Sequence, residues 1–210
     1  MHKFMVMMDA VQRAAAPRER HLRALVPGLC QLRCHEVVSF VPREHAASAR
    51  GADRIVEVDE FWIDANILEP ALHALRTAYP ATPLCRVRER VIFERSIACE
   101  APIRRLSLLQ RRSSLTRPAF SAYWLDVHAP LAHCHRHVRR YVQNHVEADG
   151  SFGPDAAQFD GIAEFEIADW AGMQADYATP EGTRMREDVA KFAGNVTTCV
   201  VRTREKVPAG

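Results

Sequence analysis

Apolar residues recur along this chain with two spacings, every second residue and every third or fourth, and the segments that carry them alternate. Met1 to Met8 reads as a strand, and Pro17 to Leu25 as a short helix with Arg and Glu on its outer face. Leu29 to Phe40 reads as a second strand entered through a Pro27-Gly28 turn, and Arg54 to Trp62 alternates as a third. Ile67 to Tyr79 has helical spacing at Leu68, Ala71, Leu72 and Leu75 and is stopped by Pro80; Cys85 to Ile97 alternates again. The order is βαββαβ.

The remainder follows the same order. Ile103 to Leu109 is a strand, and Thr116 to Leu131 a helix with a Thr cap and Pro118 in its first turn. Val138 to Val146 and Gln158 to Ile167 are strands flanking a Gly-Pro-rich turn. Ala171 to Phe192 is helical with a break at Thr179-Pro180, and Thr197 to Val207 is the last strand. The fold class expected is α+β: two tandem ferredoxin-like βαββαβ units forming an α/β barrel, with halves 1–101 and 102–210 meeting near Ala98 to Pro102. Each unit buries one sheet face under its helices and needs cover on the other, which a second sheet supplies. The pattern leaves open whether the barrel closes within one chain or between chains. Sheet edges left over make a homodimer a further expectation.

The most chemistry lies in Phe120-Ser-Ala-Tyr123-Trp124-Leu-Asp-Val-His128-Ala-Pro130. Phe120, Tyr123, Trp124 and Val127 fall at helical spacing, so they share and bury one face. His128 follows Trp124 by four residues on nearly the same stripe, and Pro130 disfavours helical geometry just before it. An imidazole at a frayed, partly buried helix end is well placed to meet a ligand. Together with Arg140-Tyr141-Val-Gln143-Asn144-His145, then Phe159-Asp160-Gly161-Ile-Ala-Glu164, then Thr179-Pro180-Glu181-Gly182, this segment resembles the EthD family, with the pieces in the family's order. The first half has no Tyr-Trp pair, no His-Ala-Pro and no Tyr-Val-Gln-Asn strand, so the resemblance makes one half active and the other scaffold.

The resemblance implies a dimeric α/β-barrel protein, a superfamily with cofactor-independent lactone isomerases, polyketide cyclases, monooxygenases and proteins of ether or aromatic degradation. It implies an enzyme of isomerase, cyclase or lyase type, moving protons on an oxygenated aromatic, lactone or polyketide-like substrate without a cofactor. The alternative is a non-catalytic barrel that binds a small molecule or haem beside a degradative pathway. His128 is the expected acid/base, since an imidazole near pKa ~6.5 crosses working pH with small shifts. Tyr141 and Gln143 would hold an oxygen, Glu164 would act as second base or orienting partner, and Tyr123, Trp124 and Asp160 complete the binding set.

Strand parity refines these roles. Gly161, Ala163, Phe165 and Ile167 suit packing under helices, which turns Asp160, Ile162, Glu164 and Glu166 toward the space between the sheets, where the cavity is expected. A carboxylate there must be paired, hydrogen-bonded or protonated, unless it lies exposed at the rim. Val142 and Val146 share one face of their strand, and Tyr141, Gln143 and His145 the other. The plainer alternatives are a helix-end His on a backbone carbonyl and a Tyr-Gln ladder that only joins sheets.

Composition removes several function classes. A net charge of +2 with 26% charged residues offers no basic face for nucleic acid or a membrane surface. No apolar run approaches the ~20 residues of a membrane span, and the N-terminal apolar stretch is too short for a secretory signal. Six dispersed cysteines read as reduced thiols of a cytoplasmic protein. His133-Cys134-His135-Arg136-His137 lacks specific metal spacing and reads as a surface turn; Cys30 and Cys34 lie ~13 Å apart on one strand face. No metal and no phosphate loop is expected, and the partner is a small-molecule substrate.

Overall fold

In the computed structural model the alternating segments pair edge to edge into a closed antiparallel barrel, in the order β1-β3-β2-β8-β5-β7-β6-β4. The structure describes residues 1–16, 22, 24–41, 54–80, 82–149, 151–153 and 159–206. The strands are β1 (His2–Met8), β2 (Leu29–Phe40), β3 (Glu57–Ile63), β4 (Leu84–Glu94), β5 (Ile103–Arg111), β6 (Val138–Val146), β7 (Gly161–Ile167) and β8 (Ala193–Lys206). Taken from β4, the ring reads β4-β1-β3-β2 and then β8-β5-β7-β6, the ferredoxin-like strand order in both runs. The runs join where β2 pairs β8 and β4 pairs β6. Among the described residues, closure within one chain leaves no strand edge to offer a second copy, so a homodimer would have to form by another surface.

The helices are α1 (Ala10–Ala15), α2 (Leu68–Ala78), α3 (Arg117–Tyr123), α4 (Ala129–Leu131), α5 (Trp170–Ala178) and α6 (Pro180–Phe192). The short α1 was not foreshadowed by periodicity; it rests on a reciprocal cap between Asp9 and Gln12. The helix expected from Pro17 to Leu25 lies mostly outside the described residues, although Leu22 is helical and buried. The expected single helix from Thr116 to Leu131 is broken by a π turn over Trp124–His128.

Alternation along each strand sorts the core into layers. Met5, Met7, Val58, Leu106, Leu108 and Ile162 fill the barrel. Phe4, Val6, Phe61, Leu72 and Leu75 pack between the first sheet and α2. Phe120, Trp124, Tyr141, Phe165, Met173 and Phe192 pack between the second sheet and its helices. The barrel interior also holds a charged cluster. Lys3 Nζ lies 2.9 Å from Glu60 and 2.7 Å from both Glu89 and Glu164, so strands β1, β3, β4 and β7 meet at one ammonium. Burial would push that ammonium down, but the charges of Glu164, Glu60 and Glu89 outweigh it and hold its pKa well above the ordinary value. Burial and the neighbouring Glu60 raise Glu164, whereas Lys3 and His35 overcome the burial of Glu60 and hold it low.

Removing the cation while leaving its carboxylates buried is costly. Lys3→Met is expected to lose about 3–5 kcal/mol in urea unfolding. Adding Glu60→Gln and Glu164→Gln to that variant should restore part of the loss.

Candidate functional site

Small side chains on the helix-facing side of the second sheet leave a hollow there. Ser107 and Ala163 form its floor, with Arg105, Tyr141 and Phe165 beside them. Trp124 and His128 from the π turn, Tyr177 from α5 and Met185 and Phe192 from α6 enclose it. The empty volume is about 450 Å³ counted out to the open mouth. The cavity was expected between the two sheets. That space is instead occupied by the apolar barrel core and the Lys3 cluster, so the hollow lies under the helices.

The π turn decides which side chains reach the hollow. Its closing bond runs from the Ala129 N–H to the Trp124 carbonyl, one residue longer than an α turn. The extra residue rotates the helix: Val127, expected on the buried face, is 45% exposed, while His128 is buried. The His128 Nδ1 lies 3.0 Å from Asp188 Oδ2. Asp188 also accepts the Tyr123 hydroxyl at 2.8 Å and an ion pair from Lys191 at 3.1 Å. Burial would raise the Asp188 carboxyl, but hydrogen bonds from His128, Tyr123 and Lys191 hold it below the usual carboxylate range. An ionised Asp188 accepts the Nδ1 proton, which makes Nε2 the basic nitrogen of His128. The Phe192 ring packs against the imidazole at 4.8 Å.

A hydrogen-bond chain fixes Tyr141 in the same way. Gln143 Nε2 donates to the Tyr141 hydroxyl at 2.9 Å and to the Trp124 carbonyl at 3.0 Å. Its Oε1 must then accept, and His145 Nε2 lies 3.0 Å away. That donation leaves His145 Nδ1 to accept from Ser121 Oγ at 2.7 Å. Burial, then Arg90 and Arg88, push the His145 pKa down to about 4, in keeping with a neutral ring. Trp124 Nε1 also donates to the Tyr141 hydroxyl, at 3.1 Å. With two donors on its oxygen, Tyr141 has only its own proton to give. Burial raises its pKa well above the ordinary value, so the proton stays.

Gly161 makes room for this chain. A Cβ there would come within 2.3 Å of the Trp124 ring, so the Asp160-Gly161 pair is where the sheet admits the indole. Arg105 completes the hollow, with its guanidinium carbon 4.3 Å over the Phe165 ring and its Nη1 donating to the Tyr177 hydroxyl at 2.9 Å.

The structure brings His128, Trp124, Tyr141 and Gln143 to this side of the sheet. Tyr123 does not line the hollow and reaches it through Asp188, which accepts its hydroxyl, and through Phe192, on which its ring stacks. Asp160 is buried but bound by Arg111 at 2.8 Å and Arg117 at 3.1 Å, tying the end of β5 to α3. Glu164 points into the barrel, as strand parity indicates, and is neither at the rim nor beside His128: it is paired with Lys3 on the opposite face of the sheet. Glu166 is bound by Arg104 and Arg139. His135, read as part of a surface turn, is fully buried against Tyr177 at 4.5 Å. The donor atoms of His35, Glu60 and Glu164 lie within 4.8 Å of one another, as do those of Cys34, Glu57 and Asp59. In the first group the Lys3 ammonium already bonds both carboxylates. All six cysteines are free thiols.

Asp188 was missed in the sequence, and Arg105, whose short Arg104-Arg105 run reads as a solvated strand edge or turn, is instead buried. Asp188 had a signal: it stands between Met185 and Phe192 on the apolar stripe of α6, where a lone acid needs a partner. Arg105 had one too, since it shares strand parity with Ser107 and Leu109 on the helix-facing side.

Residues 112–195 match the EthD domain family. No protein of curated function matches the chain. Among solved structures, an anthrone oxidase-like protein aligns at a TM-score of 0.57 with 12% identity, covering 100% of this chain and 96% of that one. A candidate monooxygenase from Fusobacterium nucleatum subsp. nucleatum aligns at 0.51 with 4% identity, over 99% and 95% of the two chains. An ethyl tert-butyl ether d (ethd) family protein from Bacillus halodurans aligns at 0.38 with 19% identity, over 51% of this chain and 100% of its own. At these identities the likeness to the first two shows a shared fold. No helix among the described residues is long and apolar enough to cross a membrane.

Two outcomes follow from this packing. Gly161→Ala is expected to push the indole off the sheet, costing about 1–3 kcal/mol and changing the tryptophan fluorescence. His135 is held neutral by burial and then by Arg105, with its pKa pushed down to about 4, like that of His145. The unfolded chain protonates its histidines near pH ~6.5 and so binds more protons between the two values. Stability is therefore full above about pH 6.5 and falls as the pH drops toward 4. Melting points taken from pH 7 to 4.5 should show the fall, with a shallower slope in His135→Phe.

Proposed function

We propose, on the premise that residues 112–195 form an EthD domain, that the hollow beneath the second half's helices is the active site of a small-molecule enzyme that moves a proton. The observation that carries this reading is the convergence on one pocket of a His–Asp pair and a tyrosine committed to donating. The substrate class is an oxygenated aromatic, a lactone or a polyketide-like molecule. Its ring lies against Trp124, Phe165 and Phe192, and its carbonyl or phenol oxygen accepts from Tyr141.

His128 Nε2 removes a proton next to that carbonyl. Asp188 keeps the imidazole in the required tautomer and stabilises the imidazolium that forms. Negative charge developing on the substrate oxygen is met by the Tyr141 proton, held in place beforehand by Gln143 and Trp124. Return of the proton at another atom completes an isomerisation. Attack of the carbanion on a second carbonyl carbon of the same molecule, whose C=O π pair moves to the oxygen and takes the proton of the His128 imidazolium, gives cyclisation; expulsion of a leaving group that takes the same proton gives a lyase reaction. Glu164, on the other face of the sheet, takes no part. The first half serves as scaffold by covering the second sheet. The Asp188 partner on Nδ1 and the Phe192 ring at 4.8 Å hold the imidazole as a proton-transfer group toward a small substrate, the reading preferred to haem ligation.

A panel of phenolic acids and lactones, screened for thermal stabilisation, identifies ligands to assay for turnover. His128→Ala is expected to lower kcat by about 10²- to 10⁴-fold with ligand affinity retained. Asp188→Asn removes the charge that supports the imidazolium, so the acidic limb of the rate profile should move to lower pH. Full turnover by His128→Ala would overturn the reading.

A further inference from the structure

Arg105 is a buried charge in this pocket that no described side chain neutralises. It is 7% exposed, on β5 between its neighbours β7 and β8. Its polar contacts are neutral: the Tyr177 hydroxyl at 2.9 Å and Met173 Sδ at 3.9 Å. Its Nε is buried with no acceptor. Among the described residues no carboxylate lies within ion-pair distance of it, although the same half contains several buried acids. Asp188 is bound by His128, Tyr123 and Lys191, Asp160 by Arg111 and Arg117, Glu166 by Arg104 and Arg139, and Asp176 by His137. No pocket-lining residue is acidic, and the exposed Arg186 adds a second guanidinium to the wall. The neighbouring His135 has both ring nitrogens buried without partners, and Arg105's charge helps hold that ring neutral.

A guanidinium cannot shed its proton to escape burial. An isolated buried charge is costly unless something pairs with it. The stacking on Phe165 offsets part of that cost, but it supplies no negative charge.

We propose that the ligand supplies it: the pocket takes a small aromatic or lactone bearing a carboxylate, and Arg105 is the residue that binds that carboxylate. This deepens the reading of the hollow as a substrate site and rests on it. A planar carboxylate suits the guanidinium fork, and anchoring it at Arg105 fixes which ring atom faces His128 and which oxygen faces Tyr141. Arg105 thereby determines specificity while the proton chemistry belongs to His128.

Salicylate and salicylamide differ in that one charge and serve as probes of the full-length protein. Salicylate is expected to bind roughly 10- to 100-fold more tightly by calorimetry. Arg105→Met should abolish the difference, and Arg105→Lys should keep part of it. Unliganded Arg105→Met should melt no lower than the unsubstituted protein, because it removes an uncompensated buried charge; a lower melting point would mark Arg105 as structural and overturn the proposal. Equal affinity for the two probes, binding of neither, or a preference that survives Arg105→Met would also overturn it. Tyr141→Phe separates the two levels. If it weakens both probes while no charge preference exists, the pocket reading stands and the carboxylate proposal alone fails. If neither Tyr141→Phe nor Arg105→Met affects salicylate, the ligand binds elsewhere and both fail.

Discussion

One ammonium holds the two sheets in register. Lys3 reaches Glu60 and Glu89 in the first sheet and Glu164 in the second, all within 2.9 Å, at a place where apolar packing alone would allow the strands to slide. The ion cluster is not a source of much net stability, because desolvating its members offsets their attraction. Its effect is to make any other register costly, since a shift by one residue would turn each buried charge to the wrong face. Asn144 hydrogen-bonds to Glu164, and His35 Nε2 lies 3.1 Å from Glu60. The middle of the barrel is filled in this way, which leaves inside it only a smaller hollow of about 230 Å³ beside His35, Leu106 and Glu164, and the larger space lies outside it.

That constraint explains why the hollow is found under the helices of the second half. There the sheet presents Ser107 and Ala163 where the first half presents Phe4, Val6 and Phe61. The small floor lets the indole of Trp124 sit down over Gly161, and the indole and Gln143 then orient Tyr141. The π turn contributes the other half of the site. By adding a residue to the turn it exposes Val127 and buries His128, where Asp188 meets it.

Most of the architecture was legible because it depends on alternation, and alternation is local. The strand over Val138–Val146 was read to the residue, and the helix-facing row Gly161, Ala163, Phe165 was assigned from parity alone. The Thr179-Pro180 break was legible for a different reason, since Pro180 has no N–H to continue one helix and readily opens the next. What escaped was long-range. That Glu164 would meet Lys3 depends on closure between residues 161 positions apart, and no local pattern carries it. The π turn escaped because a 3.6-residue period is assumed in reading a helix face, and Val127 satisfies that assumption as well as His128 does. The burial of His135 depends on Tyr177 and Phe165 arriving from other elements.

The two faces of β7 show how the same chemistry comes to do different work. Glu164 and Arg105 are both buried charges on adjacent paired strands, in a register that places Leu106 opposite Glu164 and Arg105 opposite Phe165. Glu164 lies beside a small recess of the barrel interior, but the chain itself supplies its counterion, Lys3, at 2.7 Å. Arg105 faces a hollow with an open mouth, and the protein places aromatic rings and a hydroxyl around it but no acid. A sequence that pairs the buried acids of this half with basic partners leaves Arg105, among the described residues, a buried cation with no acid beside it where solvent and solutes can enter. The difference between the faces is therefore a difference in who completes the charge: the fold on one side, and a bound molecule on the other.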